Sequence, residues 1–154
     1  DPREPMNVVD YVGHSERIFP IGRLDKDSRG LLLMTSDGEI VNRMLRAENG
    51  HEKEYVVEVD RPVTPEFLKK MAMGVEILDT VTLPCKIAQE GKQRFRLVLV
   101  QGLNRQIRRM CEVLGYRVTA LTRVRIMNIH LGRLKPGHWR NLTPAELDEL
   151  MNRL

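Results

Sequence analysis

Cysteine is scarce in this chain. Only Cys85 and Cys111 occur among 154 residues, too few for a disulfide framework, and neither belongs to a Cys-x-x-Cys pair. A reducing, cytoplasmic setting is the reading this supports. Long apolar runs are also missing, since none approaches the roughly 20 residues that cross a bilayer. Asp1-Pro2-Arg3-Glu4-Pro5 lacks the basic-then-apolar pattern of a secretory signal, and no membrane association is expected. There is no Gly-x-Gly-x-x-Gly fingerprint and no other glycine-rich phosphate loop. His14, His51, His130 and His138 are scattered without the two-histidine helical spacing of a zinc hydrolase, and read as ordinary surface or core residues. No Ser or Cys sits in a nucleophile elbow, and Cys111 reads as a small core residue. These absences point away from metal, nucleotide and redox chemistry. What they leave is carboxylate and arginine chemistry, with neither metal nor cofactor expected.

The residues that are present suit one compact domain spanning 1–154, with 42% hydrophobic and 30% charged side chains. Net charge is only +4, but it is unevenly placed. Residues 101–142 hold Arg105, Arg108, Arg109, Arg117, Arg123, Arg125, Arg133, Lys135 and Arg140 against the single acid Glu112, leaving residues 1–100 near balance. Such a block favours a polyanionic partner, because each neutralised phosphate releases counterions. A solvated basic face with no partner would have the same composition.

The pattern along the chain is α+β, expected to be a mixed, mainly antiparallel sheet flanked by short helices. Arg17 to Ile21 and Leu31 to Thr35 read as extended, with the polar loop Asp25-Lys26-Asp27-Ser28-Arg29-Gly30 between them. After a turn or cap at Asp37-Gly38, residues Ile40, Val41, Met44 and Leu45 share one face of a short helix. Glu54 to Val59 is β-rich. Thr64-Pro65 opens a helix that stops at Gly74. Arg94 to Val100 reads as a strand broken by Gly102, and Asn104 is placed to cap a helix carrying Ile107, Met110, Cys111 and Leu114. That helix ends at Gly115. Val118 to Leu131 reads as one extended region, followed by a Lys135-Pro136-Gly137 turn. Thr143 and Glu146 have capping-box spacing, and Leu147, Leu150, Met151 and Leu154 form one apolar face. No repeat or low-complexity linker divides the chain.

Three segments carry the chemistry. The first is Gly22-Arg23-Leu24-Asp25-Lys26-Asp27-Ser28-Arg29-Gly30-Leu31-Leu32. Alone, its Asp25 would most often be a turn former. The second is Glu52-Lys53-Glu54-Tyr55-Val56, where Tyr55 alone would be a packing residue. The third is Gly102-Leu103-Asn104-Arg105-Gln106-Ile107-Arg108-Arg109-Met110, which alone would be an exposed basic helix. In this order and combination they resemble the catalytic-aspartate, tyrosine and arginine motifs of the RNA pseudouridine synthases. The resemblance runs from about Asp1 to the final helix and is nearest to the RsuA/RluB/RluE/RluF branch. That branch normally carries a small S4-like RNA-binding module and a first strand with a Lys-Pro element before this point. Asp1-Pro2-Arg3 is therefore expected to be a mid-domain loop, and the chain a catalytic core cut from a longer protein.

The resemblance implies isomerisation of a uridine in structured ribosomal RNA, 23S by branch, with tRNA as a further substrate class; the protein is expected to act as a monomer. The N1–C1′ bond breaks, the base turns, and C5 bonds to C1′, a reaction that needs no cofactor. Asp25 is the implied essential residue. It can stabilise the positive character at C1′, trap that carbon covalently or remove the C2′ proton, and all three routes need it as a carboxylate. Arg108 is its implied cationic partner, about 100° round the helix from Ile107 at the border of the buried face. Tyr55 offers a flat surface to a uracil that has left its stack. Arg23, Lys53, Asn104, Arg105, Arg109, Arg123 and Arg125 are candidates for RNA contact, in keeping with recognition of RNA by shape. Two rivals remain: a noncatalytic RNA- or ribosome-binding module, which leaves Asp25 and Tyr55 unused, and a metal-dependent nuclease built on Asp25 and Asp27, which gathers few ligands in one place.

Overall fold

The computed structural model describes residues 18–46 and 50–154. The expected loop at Asp1-Pro2-Arg3, together with His14 and Arg17, lies outside the described residues. The elements in chain order are β1 (Phe19–Ile21), β2 (Arg29–Gly30), β3 (Leu33–Thr35), α1 (Gly38–Arg46), β4 (Lys53–Val59), α2 (Pro65–Met73), β5 (Glu76–Ile77) and β6 (Thr80–Val81). They continue with β7 (Lys86–Gly91), β8 (Arg94–Leu99), α3 (Gln106–Val113), β9 (Val118–Ile126), β10 (Ile129–His130) and α4 (Pro144–Asn152). The α+β expectation holds. The main sheet runs β10-β9-β4-β8-β7, antiparallel throughout, and β2 adds the parallel pairing, alongside Thr122 and Arg123 of β9. β1–β3 and β5–β6 are separate two-stranded ribbons.

Period-2 alternation explains the layering. In β8, Phe95, Leu97 and Leu99 are buried while Arg94, Arg96 and Val98 face away. In β4, Val57 and Val59 pair into the same buried face, with Tyr55 packed at its margin. Helix α2 covers this face with Phe67 and Met71, and α3 with Ile107, Met110 and Cys111. Phe67 meets the Phe95 ring edge-on at 5.4 Å. Thr64 caps α2 as expected, accepting from Phe67 N at 3.1 Å. A second apolar cluster joins Leu31, Leu33, Met44, Ile126, Ile129 and Leu150. The opposite face of the sheet is polar and carries the ion-pair chain Arg125–Glu54–Arg96–Glu90.

Two local expectations are corrected. Asn104 does not cap α3: the N-cap is Arg105, in the left-handed region at φ 48°, with no side-chain capping bond. The Asn104 side chain instead accepts from Arg109 Nη2 at 2.9 Å, while Arg109 Nε donates to the Asn104 carbonyl. The region from Val118 to Leu131 is a hairpin and not one extended run. Met127, at φ 52°, turns β9 back into β10, with Ile129 paired to Ile126.

The capping box at Thr143 and Glu146 is complete, and Arg140 grips the same carboxylate at 2.8 Å and 2.9 Å. The Arg140 bonds and the Thr143 amide pull the Glu146 carboxyl from 4.5 to about 2. A depressed folded-state value means that this contribution to stability is fully present above pH 4.5 and is lost as pH falls toward 2. Stability of the wild-type chain should therefore fall more steeply than that of Glu146→Gln between those limits. Parallel urea melts of the two proteins across that range check this, and equal slopes would rule out the pair as an acid-sensitive cap.

Candidate active site

Asp25 sits in a turn closed by Ser28 N donating to its carbonyl at 2.9 Å. The turn is gripped by two arginines from the start of α3. Arg108 of α3 donates from Nη2 to the Asp27 carbonyl at 2.7 Å, and Arg105 Nη2 stands 3.6 Å from the Asp27 carboxylate. Beyond the turn, Gly30 lies against Arg123 of β9, and Leu31 N donates to the Arg123 carbonyl at 2.8 Å. Gly30 has φ 117°, and a Cβ there would stand 2.2 Å from the Arg123 carbonyl oxygen, so only glycine permits this approach.

Tyr55 reaches the same place from β4. Asp25, Tyr55 and Arg108 line one cleft of about 670 Å³ together with Arg23, Lys53, Asn104, Arg105 and Arg123. That volume suits a single nucleoside with its flanking backbone. The expected convergence of a loop acid, a strand tyrosine and a helix-edge arginine is therefore present. The expected ion pair between Arg108 and Asp25 is not formed among the described residues. Arg108 bonds instead to the backbone two residues on, because the closed turn presents the Asp27 carbonyl to α3. Arg108 Nε and the Ser28 hydroxyl are enclosed beside it with no hydrogen-bond partner among the described residues. Asp27 faces Arg105, which disfavours its service as a metal ligand alongside Asp25.

Two arginines expected on the RNA surface are redirected by one irregularity. Glu54 pairs with Arg125 and the adjacent Tyr55 with Arg123, so the register shifts between them and Val124 is the extra residue of a bulge. Residues two apart on a regular strand share a face. Here the bulge sends Arg123 to the Tyr55 side and Arg125 to the Glu54 side. Arg125 is consumed there: Nε meets Glu54 at 2.8 Å, Nη2 meets Glu52 at 3.2 Å, and Nη1 donates to the Met127 carbonyl. Burial alone would raise the Glu54 carboxyl, but the bonds from Arg96 and Arg125 outweigh it and hold it below the usual carboxylate range. Arg123 is only 5% exposed and donates from Nε to the Leu31 carbonyl at 2.9 Å, so it cannot track an RNA backbone at the surface. Arg109 is folded onto Asn104 and does not line the cleft.

His51, read from sequence as ordinary, lines the cleft just ahead of Lys53 and Tyr55. Residues 51, 53 and 55 alternate along the approach to β4, which was the available signal. Its burial first, and then the nearby Lys53 charge, lower its pKa and favour a neutral imidazole. Cys111 is buried in the core, and desolvation pushes its thiol up to about 12, which leaves it without nucleophilic character.

Comparison with known proteins places the chain in a family. Residues 3–113 match the family described as RNA pseudouridylate synthase. The chain belongs to the RNA pseudouridine synthase family. It is 60% identical over 147 residues to a dual-specificity RNA pseudouridine synthase RluF of Salmonella typhi and 58% identical to that of Escherichia coli K12, covering 96% of this chain and 51% of each relative. A ribosomal large subunit pseudouridine synthase B of Bacillus subtilis is 37% identical over 141 residues, 88% of this chain and 58% of the relative. Among solved structures, a pseudouridylate synthase superposes with a TM-score of 0.81 at 31% identity, covering 86% of this chain and 59% of that one. The chain thus spans about half the length of the RluF relatives. Among the described residues, no helix is long and apolar enough to cross a membrane.

Proposed function

We propose that residues 1–154 form a catalytic domain that isomerises a specific uridine of structured ribosomal RNA to pseudouridine, with Asp25 as the essential carboxylate. The observation that carries this reading is the meeting of Asp25, Tyr55 and Arg108 in one nucleoside-sized cleft, from three separate segments of the chain. Asp25 acts on the sugar at C1′ or C2′, Tyr55 supports the everted uracil, and Arg108 holds the turn that presents Asp25. Arg23, Lys53, Asn104 and Arg105 meet the RNA at the cleft margin. The substrate is a uridine in large-subunit ribosomal RNA, the class named for the Bacillus subtilis relative. The dual specificity named for the RluF relatives extends the reading to a second RNA, for which tRNA is the class to test. The protein works in the cytoplasm, as a monomer and without a cofactor.

Mapping pseudouridines in ribosomal RNA and tRNA after incubation with the chain tests this directly. Formation of pseudouridine at a defined uridine is expected. Tight binding with no new pseudouridine would favour the noncatalytic RNA-binding module.

Tyr55 offers a further check. Stacking of a base on an aromatic ring is worth about 1–3 kcal/mol. Tyr55→Ala should therefore lose roughly 5- to 150-fold in single-turnover rate, while Tyr55→Phe stays within a few-fold of wild type. Equal losses in two folded variants would shift the role from the ring to the hydroxyl.

A further inference from the structure

We propose that Arg123 is a positioning residue, which locks the segment bearing Asp25 onto the strand next to Tyr55 and does not itself contact RNA. The proposal rests on the reading of Asp25 and Tyr55 given above. Arg123 lies between the two halves of the cleft: it is the register partner of Tyr55 on one edge of β9 and of Gly30 on the other. It holds the Leu31 peptide at both ends. Its carbonyl accepts from Leu31 N at 2.8 Å, and its Nε donates to the Leu31 carbonyl at 2.9 Å. Gly30 lies so close that no side chain can intervene.

Backbone pairing alone would not call for an arginine here. An aliphatic side chain would fill a buried site at lower desolvation cost. Instead an arginine only 5% exposed stands here, and among the described residues no carboxylate pairs with it and its Nη2 is enclosed without a hydrogen-bond partner. The contact it does make is directional. A planar Nε–H fixes the orientation of the Leu31 carbonyl, and with it the exit of the Asp25 turn, while Arg108 fixes the middle of that turn through Asp27. The segment that carries the cleft carboxylate is thus clamped from β9 and from α3. Misplacement of a reacting group by about 1 Å can cost 100-fold in rate, which makes such a clamp valuable despite its desolvation cost.

The test uses Arg123→Lys, which keeps the charge but loses the planar donor, and Gly30→Ala, which opens the same joint without touching the guanidinium. For each, single-turnover pseudouridine formation, RNA Kd and thermal melting are measured. Both variants should lose roughly 10- to 100-fold in rate while RNA Kd moves by less than about two-fold, and the double variant should be no slower than the slower single one. Weakened Kd with an unchanged rate at saturating RNA would show that Arg123 touches the substrate. Unchanged rate and Kd in folded variants would reduce it to a structural residue. Either result overturns the proposal. Should Arg123→Lys not fold, Gly30→Ala decides the matter by the same readouts. Absence of turnover by the wild-type chain would instead remove the functional reading on which the proposal rests.

Discussion

Asp25→Asn is expected to abolish pseudouridine formation, lowering the single-turnover rate by at least about 1000-fold, the scale typical of losing an essential catalytic group. The substitution keeps shape and removes only the charge and the nucleophilic oxygen. Stability should move by less than about 0.5 kcal/mol, because the Asp25 carboxylate makes no hydrogen bond or ion pair with the described residues. What holds the turn is the Asp25 carbonyl, and that group is unchanged. RNA affinity should stay the same or tighten slightly, since a negative charge leaves a cleft lined by Arg23, Lys53 and Arg105. Rate, melting temperature and Kd measured on one preparation separate these effects. Appreciable turnover by a folded Asn variant would end the assignment of Asp25, and a large drop in melting temperature would recast it as a structural turn residue.

The parts of the fold legible in the sequence were those whose signal is local. Phe95, Leu97 and Leu99 alternate into the core as their spacing predicts, and Thr64 and Thr143 cap the helices that follow them. The edge strand β7 went unread because Ile87 is the one large apolar residue in Lys86–Gly91, too little for an alternating pattern, and its pairing among the described residues comes from β8. The bulge at Val124 leaves no local trace. A strict two-residue period would put Arg123 and Arg125 on one face, and only the partners on β4 show that they diverge. The two-residue strand β2 is likewise set by a tertiary contact: Gly30 was visible as a glycine, but nothing nearby in sequence identified Arg123 as the reason for it.

The same limit applied to Arg108 and leads to the other large expected effect. A sequence names side chains, so the resemblance to the family's motifs paired this helix-edge arginine with the Asp25 carboxylate. A backbone carbonyl has no residue type, and the carbonyl of Asp27 is what Arg108 binds, at 2.7 Å. Arg108→Ala should lower the single-turnover rate by about 100-fold, through misplacement of the Asp25 turn. It should also cost about 1.5–3 kcal/mol of stability, the range for a charge-assisted hydrogen bond. Arg108→Lys should recover little, because an ammonium on a flexible stem does not reproduce the rigid planar donor that Arg108 aims at the Asp27 carbonyl. The contact makes a sharper demand in a double-variant cycle. If Arg108 paired with the Asp25 carboxylate, the stability costs of Arg108→Ala and Asp25→Ala would couple by roughly 0.5–3 kcal/mol. A bond to the Asp27 backbone survives Asp25→Ala intact, so the two costs should add within about 0.5 kcal/mol in the RNA-free chain. Urea melts of the four proteins measure that coupling. A value above about 1 kcal/mol would show that the ion pair forms in solution after all, and that Arg108 acts on the carboxylate directly and not through the turn that carries it.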